Sequence, residues 1–151
     1  PVASERITAE MASRWHDDWS VLFDVGEAYL CLHRNTTEAR RCFRRVAEID
    51  PTHVKAKLRL VWLLGGCAED DLRNGNEALR IAMALQSKYP GAPEILDALA
   101  IAQAECGDFE SAIATAEAAI ANAEAVGNLT VAFKQRVERY RQGQPFRFNE
   151  T

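Results

Sequence analysis

Sustained alternation of apolar and polar residues is missing from this chain, which argues against β-strands. No apolar run approaches the ~20 residues that a membrane-crossing helix needs. The most apolar stretch, 60–66, ends in two glycines, so membrane insertion by this segment is not expected. Basic charge is in short supply: 18 Lys and Arg face 22 Asp and Glu, for a net charge of −4. A nucleic-acid binder usually carries the opposite balance, so that partner class is disfavoured. There is no Gly-rich phosphate loop, no Gly-x-Ser-x-Gly elbow and no zinc signature, so neither catalysis nor a cofactor or metal is expected. The four cysteines (Cys31, Cys42, Cys67, Cys106) form no CxxC and have no His at ligand spacing, which reads as free, partly buried thiols. A Cys31–Cys42 bridge across one hairpin would be geometrically demanding. No secretory signal opens the chain. It begins at Pro1 rather than Met, which reads as an excised or processed piece with upstream segments lost. Nothing names a compartment, and the cytoplasm is the favoured one.

What the sequence does contain is helix-forming composition. Ala, Leu, Glu and Arg dominate its 151 residues, 48% of which are hydrophobic and 26% charged, as in a folded soluble domain. Punctuation by Gly, Pro, Asn and Asp divides it into eight helical segments: 4–15, 19–32, one starting at Thr36 or Thr37 and ending near Ile49, 52–64, 76–88, 92–106, 109–125 and 129–141. Ser4, Thr36 or Thr37, and Asp108 are read as N-caps, Pro93 as a first-turn proline and Gly107 as a left-handed exit. In the first segment Ile7, Met11 and Trp15 make an apolar stripe.

One spacing returns three times. Leu22, Val25, Gly26, Tyr29, Ala39, Phe43 and Pro51 mark a first unit; Leu60, Val61, Leu64, Ala78, Ala82, Leu85 and Pro90 a second; Leu96, Leu99, Ala100, Gly107, Phe109, Ala112, Ala116 and Ala119 a third. Small residues (Gly26, Ala39, Ala78, Ala100, Ala112) stand where paired helices would cross. Large ones (Tyr29, Phe43, Leu64, Leu85, Leu99) would fill the gaps between pairs.

These positions resemble the tetratricopeptide repeat, best in the third unit, although Glu124 stands where that family expects proline. The resemblance covers about 19–125. It implies an all-α superhelix, a TPR-like solenoid of about three helix-turn-helix repeats. The organisation read from it is an N-terminal helix (1–18), repeats at 19–51, 52–91 (with an inserted loop, 67–74) and 92–126, a capping helix (127–142) and a tail (143–151). The basic helix followed by Tyr140-Arg-Gln-Gly-Gln-Pro-Phe-Arg147 is similar to the C-terminal end of repeat arrays in large bacterial proteins.

In that family the first helix of each pair lines a concave groove. Projection onto it places Ser20, Phe23, Asp24, Glu27 and Cys31 in the first unit, Lys55, Leu58, Arg59 and Trp62 in the second, and Glu94, Asp97, Ala98, Ile101 and Glu105 in the third. The binding residues expected from this are Phe23, Glu27, Lys55, Arg59, Trp62, Asp97 and Ile101, with Phe23 and Trp62 as apolar anchors beside charges. The bland alternative pairs Lys55 and Arg59 with Glu94 or Asp97 and makes Trp62 core. A carboxylate clamp, which some members use on a chaperone's terminal Glu-Glu-Val-Asp, is not expected. Phe23, Glu27, Glu94 and Ala98 stand where its Lys, Asn and Arg would be.

The resemblance thus implies a scaffold that holds a protein or peptide partner and is not an enzyme. The alternatives are a non-catalytic regulatory module of a larger enzyme, or self-association into a homodimer through the Ala-rich face of 109–125. Lesser features read as solvated surface. His16-Asp17-Asp18 would not converge on a helix, Glu69-Asp70-Asp71 lacks the Gly and final Glu of a calcium loop, and His33 and His53 lack partners at useful spacing. Arg40, Arg41, Arg44 and Arg45 make a broad basic convex face, an alternative binding surface.

Overall fold

A computed structural model describes residues 3–148. Among them the architecture is all-α, with no strand: α1 (Ala3–Arg14), α2 (Trp19–Cys31), α3 (Thr36–Ile49), α4 (Val54–Gly66), α5 (Gly75–Lys88), α6 (Pro93–Glu105), α7 (Phe109–Ala125) and α8 (Val131–Arg141), plus a 3-10 turn at Asp70–Leu72. Consecutive helices pack pairwise: α1 on α2, α2 on α3, α5 on α6, α6 on α7 and α7 on α8. Such packed helix pairs are consistent with a helical repeat. No described helix is long and apolar enough to cross a membrane.

Local chemistry places the helix starts. Asp18 Oδ1 accepts the N–H groups of Ser20 and Val21 at 3.0 and 3.3 Å, opening α2. Asn35 caps α3 through the Glu38 N–H, Asn74 caps α5 through the Glu77 N–H, and Asp108 caps α7 through the Ser111 N–H, all at 3.0–3.1 Å. The cap of α3 is therefore Asn35, not Thr36 or Thr37, because the asparagine carbonyl reaches the third N–H of the first turn. Gly107 leaves α6 at φ +83°, as its position after the last apolar residue implies. Cys31, Cys42, Cys67 and Cys106 are all free thiols.

The chain forms two compact units, Pro1–Leu60 and Val61–Thr151, with the division inside α4. In the first unit α2 and α3 close on Leu22, Val25, Tyr29, Ala39, Phe43 and Val46, each at most 3% exposed. Gly26 is required there: a Cβ on it would lie 2.8 Å from Phe43 Cε1. The α1 stripe departs from expectation. Ile7, Met11 and Trp15 are 59%, 40% and 44% exposed, while Thr8, between them, is buried and contacts His33 Nε2 at 3.0 Å.

In the second unit α6 is enclosed, with every residue from Ile95 to Ala102 buried. A helix apolar around its circumference is one that neighbours surround. Ala112, Ala116, Ala119 and Ala123 of α7 are at most 1% exposed. Ala112 and Ala116 share a core with Ala100, Ala104, Val137 and Tyr140. This row of small residues lets α7 approach its neighbours within the chain, while Ala114, Ala118, Ala121 and Ala125 of the same helix stay exposed. The inserted loop is organised by Arg73, which donates to the carbonyls of Cys67 and Ala68 at 2.8 and 2.9 Å and pairs with Asp70 and Glu105.

Candidate partner-binding surfaces

In the first unit α2 carries Phe23 and Glu27, and the start of α4 carries Lys55 and Arg59. Arg59 forks onto Glu27, with Nε–Oε1 2.6 Å and Nη2–Oε2 3.0 Å. Arg59 thus pairs with Glu27 of its own unit, and Asp97 has another partner. The Glu27 bond is the largest influence on the Arg59 guanidinium and raises its pKa. The two side chains keep 38% and 28% of their surface, a geometry worth about 0–1 kcal/mol in water. Phe23 is half-buried, with ring centroids 5.5 Å from Phe43 and 5.0 Å from His53. The Trp19 ring, 43% exposed, packs on His53 edge to face with centroids 5.0 Å apart. His53 has partners after all: its Nδ1 also accepts the Ala56 N–H at 3.1 Å, in the first turn of α4. Lys55 is exposed beside these groups.

The other expected site residues belong to the second unit and are enclosed there. Asp97 is 3% exposed and bonded by Arg136 of α8 through both oxygens, at 2.8 and 2.6 Å. Burial raises the Asp97 carboxyl above its ordinary value and Arg136 opposes that shift. Ile101 is 0% exposed, and its Cγ2 lies 2.9 Å from where a Cβ on Gly65 would stand. Neither is available to a partner, because α6 is covered on the face that projection left open. Trp62 is half-buried. The Arg136 guanidinium lies 5.6 Å from its ring centroid, and Phe146 and Phe148 pack on it at 5.4 and 6.2 Å.

That last contact was not legible in the sequence, which ends regular structure at Gly143 and Pro145. Beyond α8 the chain turns back on α4. The Phe148 N–H donates to Gly66 O at 2.9 Å. Arg147 Nη1 lies 2.6 Å from Glu105 Oε2 and donates to Gly65 O at 3.3 Å. Arg139 holds the Pro145 carbonyl at 3.1 Å. The available signal was the run Pro-Phe-Arg-Phe at 145–148, too apolar for a solvated end.

The remaining features are surface ion pairs. His16 and Asp17 do meet, Nε2 to Oδ2 at 3.0 Å, because they sit in the turn after α1 rather than on a helix. Arg45 joins them through Asp17 at 2.6 Å and also pairs with Glu48. Arg41 pairs with Glu38. His16, Glu38, Arg41, Arg45 and Glu48 border a hollow of about 350 Å³ with Ala12, Leu22 and Cys42, whose thiol desolvation pushes up to about 11. Among the described residues no group of three or more His, Cys, Asp or Glu could hold a metal ion. Compared with protein-family models, curated proteins and solved structures, the chain matched none.

Proposed function

We propose that this chain is a TPR-like interaction module that holds a protein or peptide partner on the α2–α4 face of its first unit. The carrying observation is the grouping of half-exposed rings (Trp19, Phe23, His53) beside a Glu27–Arg59 pair and an exposed Lys55. Aromatic and arginine side chains are the types that most often dominate binding energy. The ion pair is cheap to open, so Arg59 and Glu27 can be re-aimed at a partner's charges while the Phe23 ring, held against Phe43, needs little reordering. Pairwise packing of consecutive helices through buried small residues supports the repeat reading.

The test is capture from a lysate of the source organism on the immobilised chain, compared with a Phe23→Ala, Arg59→Glu variant of equal helicity. We expect a specific partner whose recovery falls at least about tenfold in the variant, the loss of one hot-spot interaction. Equal recovery by both would remove the site from this face.

A further inference from the structure

The segment after α8 occupies a seat that fits it closely. Trp62 presents its ring to Phe146 and Phe148, and the Arg136 guanidinium stands 5.2 Å from the Phe146 ring. Glu105, whose Oε1 accepts from Arg73 at 3.0 Å, holds its Oε2 2.6 Å from Arg147 Nη1 as an ion-pair contact, and the Glu105 and Arg147 side chains are largely buried, at 14% and 12% exposed. Gly66 has no Cβ where one would come 2.8 Å from Phe146 Cδ1 and 3.4 Å from Phe148 Cδ1. One main-chain hydrogen bond, Phe148 N–H to Gly66 O, sets the register. The seat thus offers an aromatic floor, an anion and the Gly65 and Gly66 carbonyls, which take the Arg147 guanidinium and the Phe148 N–H, at the end of a helix whose last residue must be small.

We infer that this seat is a recognition site for an extended aromatic–arginine–aromatic segment, filled in cis by Phe146-Arg147-Phe148 and opened to a partner protein carrying the same chemistry. The occupant is defined by what the seat already accepts: two rings on Trp62, a guanidinium on Glu105 and a main-chain donor to Gly66. It is a second surface, independent of the α2–α4 face. The cis segment is tethered at an effective concentration on the order of mM, so a free segment binds weakly until the tethered one is displaced.

The experiment uses the full chain and a fluorescein-labelled peptide, Gly-Gln-Pro-Phe-Arg-Phe, followed by anisotropy. A Phe146→Ser, Arg147→Glu, Phe148→Ser variant has its seat emptied. It is expected to bind the peptide at least about tenfold tighter than the unmodified chain, given that effective concentration. A control peptide with Glu in place of Arg should bind the emptied variant at least about tenfold more weakly, as loss of a buried charge-assisted contact requires. Equal binding of both peptides, no binding by a helical emptied variant, or equal binding by the unmodified chain would each overturn the proposal. So would a dimer in sedimentation that the triple substitution dissolves, since a second copy would then be the occupant. If the triple variant loses its helicity, Arg147→Ala provides the second arm. Hydrogen exchange at the Phe148 amide should then accelerate at least about tenfold with α6 still protected. Unchanged exchange would overturn the assignment. Partner capture is read on substitutions at Phe23 and Arg59 and peptide binding on residues 146–148, so either claim can fall alone.

Discussion

Arg136 is the most constrained charged side chain described. It is 6% exposed, bonds both oxygens of Asp97, and has the rings of Trp62, Phe133 and Phe146 within 5.2–5.6 Å. Attraction between its guanidinium and the faces of those rings adds to the ion pair, and the pair is dry enough that losing one member leaves the other uncompensated. Arg136→Met is therefore expected to cost about 3–5 kcal/mol at pH 7 in urea unfolding. Adding Asp97→Leu should restore most of it, because an apolar pair of similar volume avoids desolvating two charges. The single variant has a pH signature. Burial already raises the Asp97 carboxyl, and without Arg136 that rise is unopposed. A carboxyl raised in the folded state favours folding at low pH and loses that contribution as pH rises through its folded value. The Arg136→Met deficit should shrink on acidification. A deficit independent of pH, or a double variant no better than the single, would show that the charge pair does not hold α8 to α6.

At the scale of the elements, the sequence was most readable where the determinants are local. The turn residues Asn35, Asn74, Asp108 and Gly107 act within four residues of themselves, and all eight expected segments begin and end within two residues of the observed helices. The α1 stripe misled for the opposite reason. Periodicity reports which residues share a face, not whether another element covers it, and Ile7, Met11 and Trp15 are left at the surface. The aspartate caps carry a pH dependence. Ser20 and Val21 hold the Asp18 carboxyl below its ordinary 3.8, and Ser111 does the same for Asp108. A depressed carboxyl contributes stability that is present above the unfolded value and is lost as pH falls through the folded one. An Asp18→Asn, Asp108→Asn chain keeps the caps and removes the titration. Its melting temperature should match the parent's at pH 7 less the charge–dipole contribution, and should fall less steeply below pH 4, as followed by circular dichroism. Parallel curves would mean that these caps do not titrate with folding.

On the scale of the molecule, the repeat spacing anticipated the buried small and large residues in both units. Gly26, Ala39, Ala78, Ala100 and Ala112 are buried, and so are Tyr29, Phe43, Leu64, Leu85 and Leu99. The candidate site was legible only in part. Glu27 meets Arg59 and Phe23 meets His53, while Trp62 is half-buried and Asp97 and Ile101 are buried. Asp97 is covered by Arg136 of α8 and Trp62 by Phe146 and Phe148, about 40 or more positions away in sequence, while Ile101 lies against Gly65 of α4; no helical projection of α4 or α6 alone contains these contacts. An ion pair such as Asp97–Arg136 spans 39 residues and leaves no periodic trace.

Phe146 and Phe148 lie on Trp62, and proton NMR reads that contact directly. In the full chain we expect nuclear Overhauser effects from the Trp62 indole to the rings of Phe146 and Phe148, whose centroids lie 5.4 and 6.2 Å away. The indole resonance should also shift when both phenylalanines become serine. A Trp62 indole with no effect to either ring, and a resonance unmoved by the double substitution, would contradict it.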